Sequence, residues 1–360
     1  MAINKNFWRG KKVLITGHTG FKGSWLSLWL QSLGAEVVGV SLDVPTTPSL
    51  YEQANVSENM ISLRQDIRDV VAIRKIFQDH LPEVVFHLAA QPLVRLSYRE
   101  PVETYETNVM GTLHLLEGIR NVDSVRSAVM ITTDKCYQNK EWEWGYREND
   151  TLGGHDPYSS SKGAAELLIS SYRSSYFPME KYGEHKTAIA SVRAGNVIGG
   201  GDWAEDRLVP DIIRAFQNNE KVVIRNPRSI RPWQHVLEPL SGYLRLAEEL
   251  NKNDGKYAQA WNFGPSEADA RSVQWIVEKM AELWGENADW IVDEGKHPHE
   301  ANYLKLDCSK AHMRLNWYPR WNLSQALLSI VEWHKLKGAN SKYRELCFTQ
   351  INKYMNNENS

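Results

Sequence analysis

The chain is predicted to be an α/β protein: a doubly wound, parallel sheet followed by a smaller mixed α/β lobe. Three observations carry this. Short strand-like runs alternate with helical patterns through the first half of the 360 residues. Most of these runs are apolar on consecutive positions, as strands covered on both faces are. Glycines at 17, 20 and 23 fill the first strand-to-helix junction, where a tight turn and close backbone approach are needed.

Taken in order, residues 12–16 read as the first strand and 21–33 as the helix after it. Strands follow at 36–41 and 60–65, a helix at 69–79, a fourth strand at 84–88 and a long helix at 105–119. A fifth strand at 128–132 precedes a helix at 157–175, and a sixth strand lies at 187–193. Strand–helix–strand crossovers in one sheet are right-handed, which gives the doubly wound Rossmann arrangement. The regularity weakens after about Asn196. The glycine-rich break at 199–201 is followed by helices at 206–218, 237–250, 272–284 and 323–335 and a short strand at 222–224. This divides the chain into 1–195, a dinucleotide-binding domain, and 196–360, a substrate-binding lobe whose segments return in part to the first domain.

Composition narrows the function. Lys plus Arg number 42 and Asp plus Glu 44, a formal net charge of −2. Nucleic-acid binding calls for a basic surplus, so it is not expected. Three widely spaced cysteines, Cys136, Cys308 and Cys347, suit a reducing compartment and offer neither a disulfide framework nor a zinc site. No apolar run has membrane-spanning length, and the expected location is cytoplasmic.

The turn Thr16-Gly17-His18-Thr19-Gly20-Phe21-Lys22-Gly23 has the properties of a pyrophosphate cradle. Its glycines admit the backbone, and the helix that follows presents unpaired N–H groups and its positive dipole end. Gly17, Thr19, Gly20, Phe21, Lys22 and Gly23 are therefore candidate cofactor contacts. Asp43, 20 residues after Gly23, is placed to meet ribose hydroxyls, which favours NAD over NADP; a solvated loop aspartate is the alternative. Asp66 and Ile67 close the third strand near the adenine position. Leu88, Ala89 and Ala90 end the fourth with residues small enough for a flat ring.

Tyr158 and Lys162 stand four apart in the helix at 157–175, so they share one face. A phenol is a poor base at neutral pH, and a neighbouring ammonium favours its ionised form. Thr133, Asp134 and Lys135 end the fifth strand, the edge at which such sheets present ligands.

Together the glycine spacing, Ala89-Ala90, Thr133 and Tyr158-x-x-x-Lys162 resemble the extended short-chain dehydrogenases/reductases along nearly the whole chain. Within them, the stretches 87–95 (HLAAQPLVR), 134–137 (DKCY), 193–203 (RAGNVIGGGDW) and 231–236 (RPWQHV) resemble the CDP-D-glucose 4,6-dehydratases. The resemblance implies bound NAD and CDP-D-glucose as substrate, converted to CDP-4-dehydro-6-deoxy-D-glucose by a hydro-lyase of deoxysugar (O-antigen lipopolysaccharide) synthesis. It implies Tyr158 as base, Lys162 lowering the phenol's pKa and holding the nicotinamide ribose, and Thr133 orienting the sugar. Asp134 becomes the acid at the C6 hydroxyl and Lys135 the C5 base. The related dTDP-glucose dehydratases carry glutamate there, and a lysine needs burial or a nearby cation to act as a base. Thr107 joins the cofactor contacts. Gln91, Arg193, Asn196, Arg207, Arg231 and His235 are assigned to the substrate, the cations facing its diphosphate. Homodimerisation through the helices at 105–119 and 157–175 follows by the same analogy. A nucleotide-sugar 4-epimerase, a dehydratase of another nucleotide sugar and a non-catalytic NAD-binding regulator are the alternatives.

Overall fold

The computed structural model describes residues 3–252, 255–285, 288–293, 295 and 304–356. Its centre is a seven-stranded parallel sheet. In chain order its strands are β1 (Lys12–Thr16), β2 (Glu36–Ser41), β3 (Ile61–Arg64), β4 (Val84–His87), β5 (Ser127–Ile131) and β6 (Ala188–Ala194). Two short strands, β7 (Asn196–Ile198) and β8 (Val222–Ile224), then β9 (Ile230–His235), precede β10 (Ala260–Phe263), which completes the sheet. The spatial order is β10-β6-β5-β4-β1-β2-β3. The chain thus begins in the middle and winds outward both ways, and the switch in direction falls at β1 and β4.

Alternate side chains of each strand feed two cores. Val13, Ile15, Val84, Phe86 and Val129 point into one, with Trp25 and Trp29 of helix Phe21–Ser32, Leu240 of helix Leu237–Lys252 and Tyr354 of helix Asn340–Asn356. Leu14, Val85, Ala128 and Met130 point into the other, against Phe77 of helix Val70–His80, Leu116 of helix Gly111–Arg120 and Ile169 of helix Pro157–Ser175. The last of these starts as its sequence dictates: Asp156 caps it, accepting from Ser159 N, and Pro157 takes the first turn, where its missing N–H costs nothing.

The second lobe has its own core. Strands β11 (Ala270–Ser272), β9 and β7 form one small sheet, and β12 (Trp290–Val292) pairs with β8. Helices Leu208–Gln217, Val273–Trp284 and Leu323–Lys335 enclose it. Strand β10 pairs with β6, so this half of the chain completes the large sheet as well as making the lobe.

One expected element is broken. The single helix read at 105–119 is three pieces: Pro101–Tyr105, a wider π-helical turn over Glu106–Met110, and Gly111–Arg120. Inside that turn Asn108 is buried, and its side chain bonds to Gln91 and Ser161. Such wide turns are frequent at functional sites.

Helix Pro157–Ser175 is tied to the sheet by a buried ion pair. Glu166 accepts two bonds from Arg193 of β6, at 3.0 and 2.8 Å, with Thr132 and Ser191 hydroxyls completing its shell. Burial would raise this carboxyl, but the Arg193 charge and these bonds hold it below the usual range. Removing one partner of such a pair strands a buried charge. Glu166→Gln is expected to cost about 3–5 kcal/mol, read as a lowered urea midpoint with unchanged slope. An unchanged midpoint would show that the pair does not hold the helix.

Candidate active site

At the C-terminal ends of β1, β4 and β5, the glycine turn, the end of β4 and the Thr133 turn come together. Gly17 is left-handed, with φ +79, and a Cβ there would lie 2.7 Å from Ala89 N. Only glycine fits, because the turn lies directly against the end of β4. At Gly23 a Cβ would lie 2.0 Å from Gly17 O, whereas at Gly20 it meets nothing nearer than that oxygen at 3.4 Å. Gly20 caps helix Phe21–Ser32 with no side-chain bond to the first-turn N–H groups. Those free donors beside an open glycine fit a pyrophosphate. Thr19 is turned the other way, its hydroxyl donating to Leu42 O beyond β2.

The nucleoside end is less uniform. Asp43 is exposed and lies 3.3 Å from Arg64, which leaves its carboxylate at the surface of the loop. Asp66 is engaged by Arg68 through its side chain and backbone N–H, and these bonds lower its pKa against the effect of burial. The Ile67 side chain packs into the core, where Gly111 leaves room for it, and its backbone remains for an adenine. Leu88, Ala89 and Ala90 are half-buried, as is Thr107 within the wide turn.

Thr133, Asp134, Tyr158 and Lys162 are all buried. Thr133 donates to Asp134 Oδ1 at 3.0 Å and accepts from Lys135 N–H at 3.3 Å. Gly195 faces the same carboxylate, and a Cβ there would come 3.0 Å from Asp134 Oδ2. Burial raises the Asp134 pKa, against the opposing charge of Lys135 and the Thr133 bond; a carboxyl so placed is suited to donate a proton. Burial pushes Tyr158 up to about 12, while Thr133 and Arg207 act to lower it. Lys162 donates to Ile131 O at 3.3 Å, and burial followed by the Lys22 charge brings its ammonium down to about 8. Among the charges acting on Tyr158, Arg207 is the cation that lowers its pKa.

Two lysines behave differently from expectation. Lys135 is exposed. Lys22 is drawn in: burial, then Arg207, lowers its ammonium to about 8, against Asp134 and Asp202. Asp202, buried, accepts from Arg207 at 3.0 Å. Lys22, Lys162 and Arg207 thus place three cations around two carboxylates and the phenol, a cluster suited to an anionic ligand.

Of the residues assigned to the substrate, Asn196 and Arg207 lie by this cluster: Asn196 directly follows Gly195 at the start of β7, half-buried. Arg231 on β9 stands opposite Arg271 of β11 in register. The other three are engaged elsewhere. Arg193 is spent on Glu166 and on Tyr137, under the site and not in it. His235 is fully buried between Trp25 and Trp321. Its desolvation lowers its pKa to about 3, so it brings no charge to a diphosphate. Gln91 uses its amide within its own loop, on Leu93 and Thr104. Sequence reasoning missed Glu166 and Asn108; Glu166 is four residues past Lys162 on the same helix face, a signal that was available.

These features belong to a nucleotide-sugar enzyme of the short-chain dehydrogenase type. Residues 14–329 match the GDP-mannose 4,6 dehydratase family, and the chain belongs to that family. A CDP-glucose 4,6-dehydratase of Salmonella typhimurium is 60% identical over 333 residues, covering 92% of this chain and 93% of that one. A dTDP-glucose 4,6-dehydratase of Haemophilus influenzae is 25% identical, covering 91% and 99%. Among solved structures, a UDP-glucuronic acid 4-epimerase from Bacillus cereus, in complex with UDP-glucuronic acid and NAD, superposes with a TM-score of 0.75 at 25% identity, covering 90% of this chain and 99% of that one. A dTDP-glucose 4,6-dehydratase from Bacillus anthracis in complex with NAD shares the fold, with a TM-score of 0.72 at 20% identity, covering 91% and 97%.

Gly20→Ala is expected to fold normally and bind NAD about tenfold more weakly, because the added methyl occupies open space next to the helix donors. Gly23→Ala should instead lower the melting temperature, since its methyl meets backbone. Titration of the purified variants with NAD and thermal melts check both; unchanged NAD affinity in Gly20→Ala would contradict this placement of the cofactor.

Proposed function

We propose that the chain is an NAD-dependent hydro-lyase converting CDP-D-glucose to CDP-4-dehydro-6-deoxy-D-glucose, the reaction named by its 60%-identical relative. The observation that carries the reading is the buried constellation of Thr133, Asp134, Tyr158 and Lys162 beside an open glycine turn. An epimerase would use the phenol and the cofactor, but would have no need of a buried carboxyl to discharge a hydroxyl.

Bound NAD supplies the reversible hydride carrier for C4 and C6, and in its oxidised form a positive charge that favours the phenolate. The chain handles the protons. Tyr158 takes the proton of the sugar 4-hydroxyl, with Thr133 holding the phenol and the hydroxyl in line. Asp134, whose burial favours the protonated form, gives its proton to the C6 hydroxyl as that group departs as water. Lys135 takes the proton from C5, acidified by the 4-ketone, and returns one to C5 at the end. Tyr158 then gives up its proton to solvent and Asp134 takes one back, so one water is lost, no net oxidation occurs and both groups return to their starting forms. Arg207 and Arg231 face the diphosphate, where forked donors suit phosphate oxygens. The cytidine preference rests on the relative.

The same reading places the enzyme in the cytoplasm as a homodimer. Supporting the second point, Val102, Met110 and Leu167 of the helical segments Pro101–Met110 and Pro157–Ser175 are exposed apolar side chains. Among the described residues no helix is long and apolar enough to cross a membrane.

Incubation with CDP-glucose should yield a 4-keto-6-deoxy sugar, detected by its absorbance in strong alkali; a CDP-galactose product would favour the epimerase. Tyr158→Phe is expected to lose at least about 100-fold in kcat while still binding NAD; wild-type turnover would contradict its role. Lys135→Ala should slow loss of the C6 hydroxyl more than oxidation at C4 in single-turnover measurements. Equal slowing of both steps would reject it as the C5 base.

A further inference from the structure

Beneath the glycine turn runs a buried line of hydrogen bonds that the proposed mechanism does not use. Ala89 N–H donates to Thr16 Oγ1 at 3.2 Å, and Thr16 Oγ1 lies 2.7 Å from His87 Nδ1. On the other side of the ring, His87 Nε2 lies 3.0 Å from Thr112 Oγ1, whose own hydrogen goes to Asn108 O at 2.7 Å. Asn108 then holds Gln91 by both backbone groups, at 2.8 and 3.1 Å, and donates to Ser161 Oγ at 2.9 Å. Ser161 donates to Tyr158 O at 2.7 Å. Thr16, His87, Asn108, Thr112 and Ser161 are all buried.

The direction of these bonds leaves the imidazole one form. The Thr112 hydrogen is committed to Asn108 O, so Thr112 can only accept from the ring, and Nε2 must carry a hydrogen. Thr16 Oγ1 already accepts from Ala89, so its hydrogen is free to point at Nδ1. A second ring proton would face that hydroxyl head-on, in a site where burial, and then the Lys162 charge, already disfavour the cation. The ring joins two elements: the β1 end that carries the glycine turn, and the wide helical turn that holds Ser161 and hence the first turn of the Tyr158 helix.

We propose that His87, as its neutral Nε2–H tautomer, is a positioning residue that keeps the end of β4 and the Tyr158 helix in one register for the reaction, an inference that rests on the dehydratase reading. It touches neither substrate nor phenol. Its effect is on the placement of groups that do, where an error of about 1 Å can cost up to about 100-fold in rate.

The test has two independent readouts. Long-range ¹⁵N–¹H spectra of ¹⁵N-histidine-labelled protein, with His87→Phe to assign the signal, should show His87 as the Nε2–H tautomer at neutral pH. An Nδ1–H tautomer or an imidazolium would overturn the proposal without reference to activity. With CDP-glucose, His87→Phe, which keeps a ring but removes both bonds, should lower kcat about tenfold with KM changed less than about twofold. His87→Gln, which restores one acceptor and one donor, should recover most of that loss. Thr112→Val cuts the same line one bond further on, and serves where the Phe variant does not fold. Its loss should match that of His87→Phe, and the double variant should be no worse than the worse single one. Wild-type kcat in Thr112→Val or His87→Phe, equal loss in the Phe and Gln variants, or losses that multiply would each overturn the proposal. Absence of turnover by the wild-type protein would overturn the dehydratase reading instead, and the tautomer spectrum would still decide the state of His87.

Discussion

The Glu166–Arg193 ion pair is the contact on which the site depends. It lies between helix Pro157–Ser175 and β6, with Thr132 of the β5 end bonded to the same carboxylate. Glu166 is one helical turn past Lys162 and two past Tyr158, so fixing it fixes their face. Arg193 also donates to Tyr137 at 2.7 Å, which bonds Asn262 of β10. The turn carrying Asp134 and Lys135 is thereby tied to the same network. A buried pair contributes less to net stability than its geometry suggests, because desolvation offsets much of the attraction. Its contribution here is register: three catalytic elements meet at one charge pair that has no water to exchange with.

Burial then sets the chemistry. The same desolvation raises Asp134, raises Tyr158 and lowers Lys22 and Lys162. Each shift disfavours the charged form: those of Asp134, Lys22 and Lys162 run toward neutral pH, and that of Tyr158 runs away from it. The acid is better prepared than the base. Asp134 is held where a carboxyl can keep its proton, whereas Tyr158 at about 12 needs added positive charge before it can take one. The three cations around Asp134 and Asp202 serve a second purpose, since a nucleotide diphosphate brings negative charge to the same place.

Much of this was legible in the residue order. The central strands announce themselves by runs apolar on both faces, and the helix at Pro157 by its aspartate cap and proline. The turn at Gly17, Gly20 and Gly23 is legible because backbone contact leaves no room for a Cβ at two of the three. What stayed hidden has physical reasons. Strands of three residues, such as β7, β11 and β12, are too short to show a period. The wide turn at Asn108 has the same apolar spacing as a regular helix on either side. Arg193 is of a type usually found at the surface and His235 of a type intermediate in burial. Their burial depends on partners far along the chain: Glu166 is 27 residues from Arg193, and Trp321 lies against His235 from the C-terminal quarter. Motif position alone does not say which way either side chain turns.

The central claim is that one sugar is oxidised at C4, dehydrated across C5 and C6, and reduced at C6 without release of the cofactor. CDP-glucose deuterated at C4 tests it most directly. The account predicts a 4-keto-6-deoxy product with the C4 deuterium recovered in the C6 methyl group and, in heavy water, one solvent deuterium at C5. Deuterium remaining at C4 of an epimerised hexose, or lost to solvent with no label at C6, would contradict it.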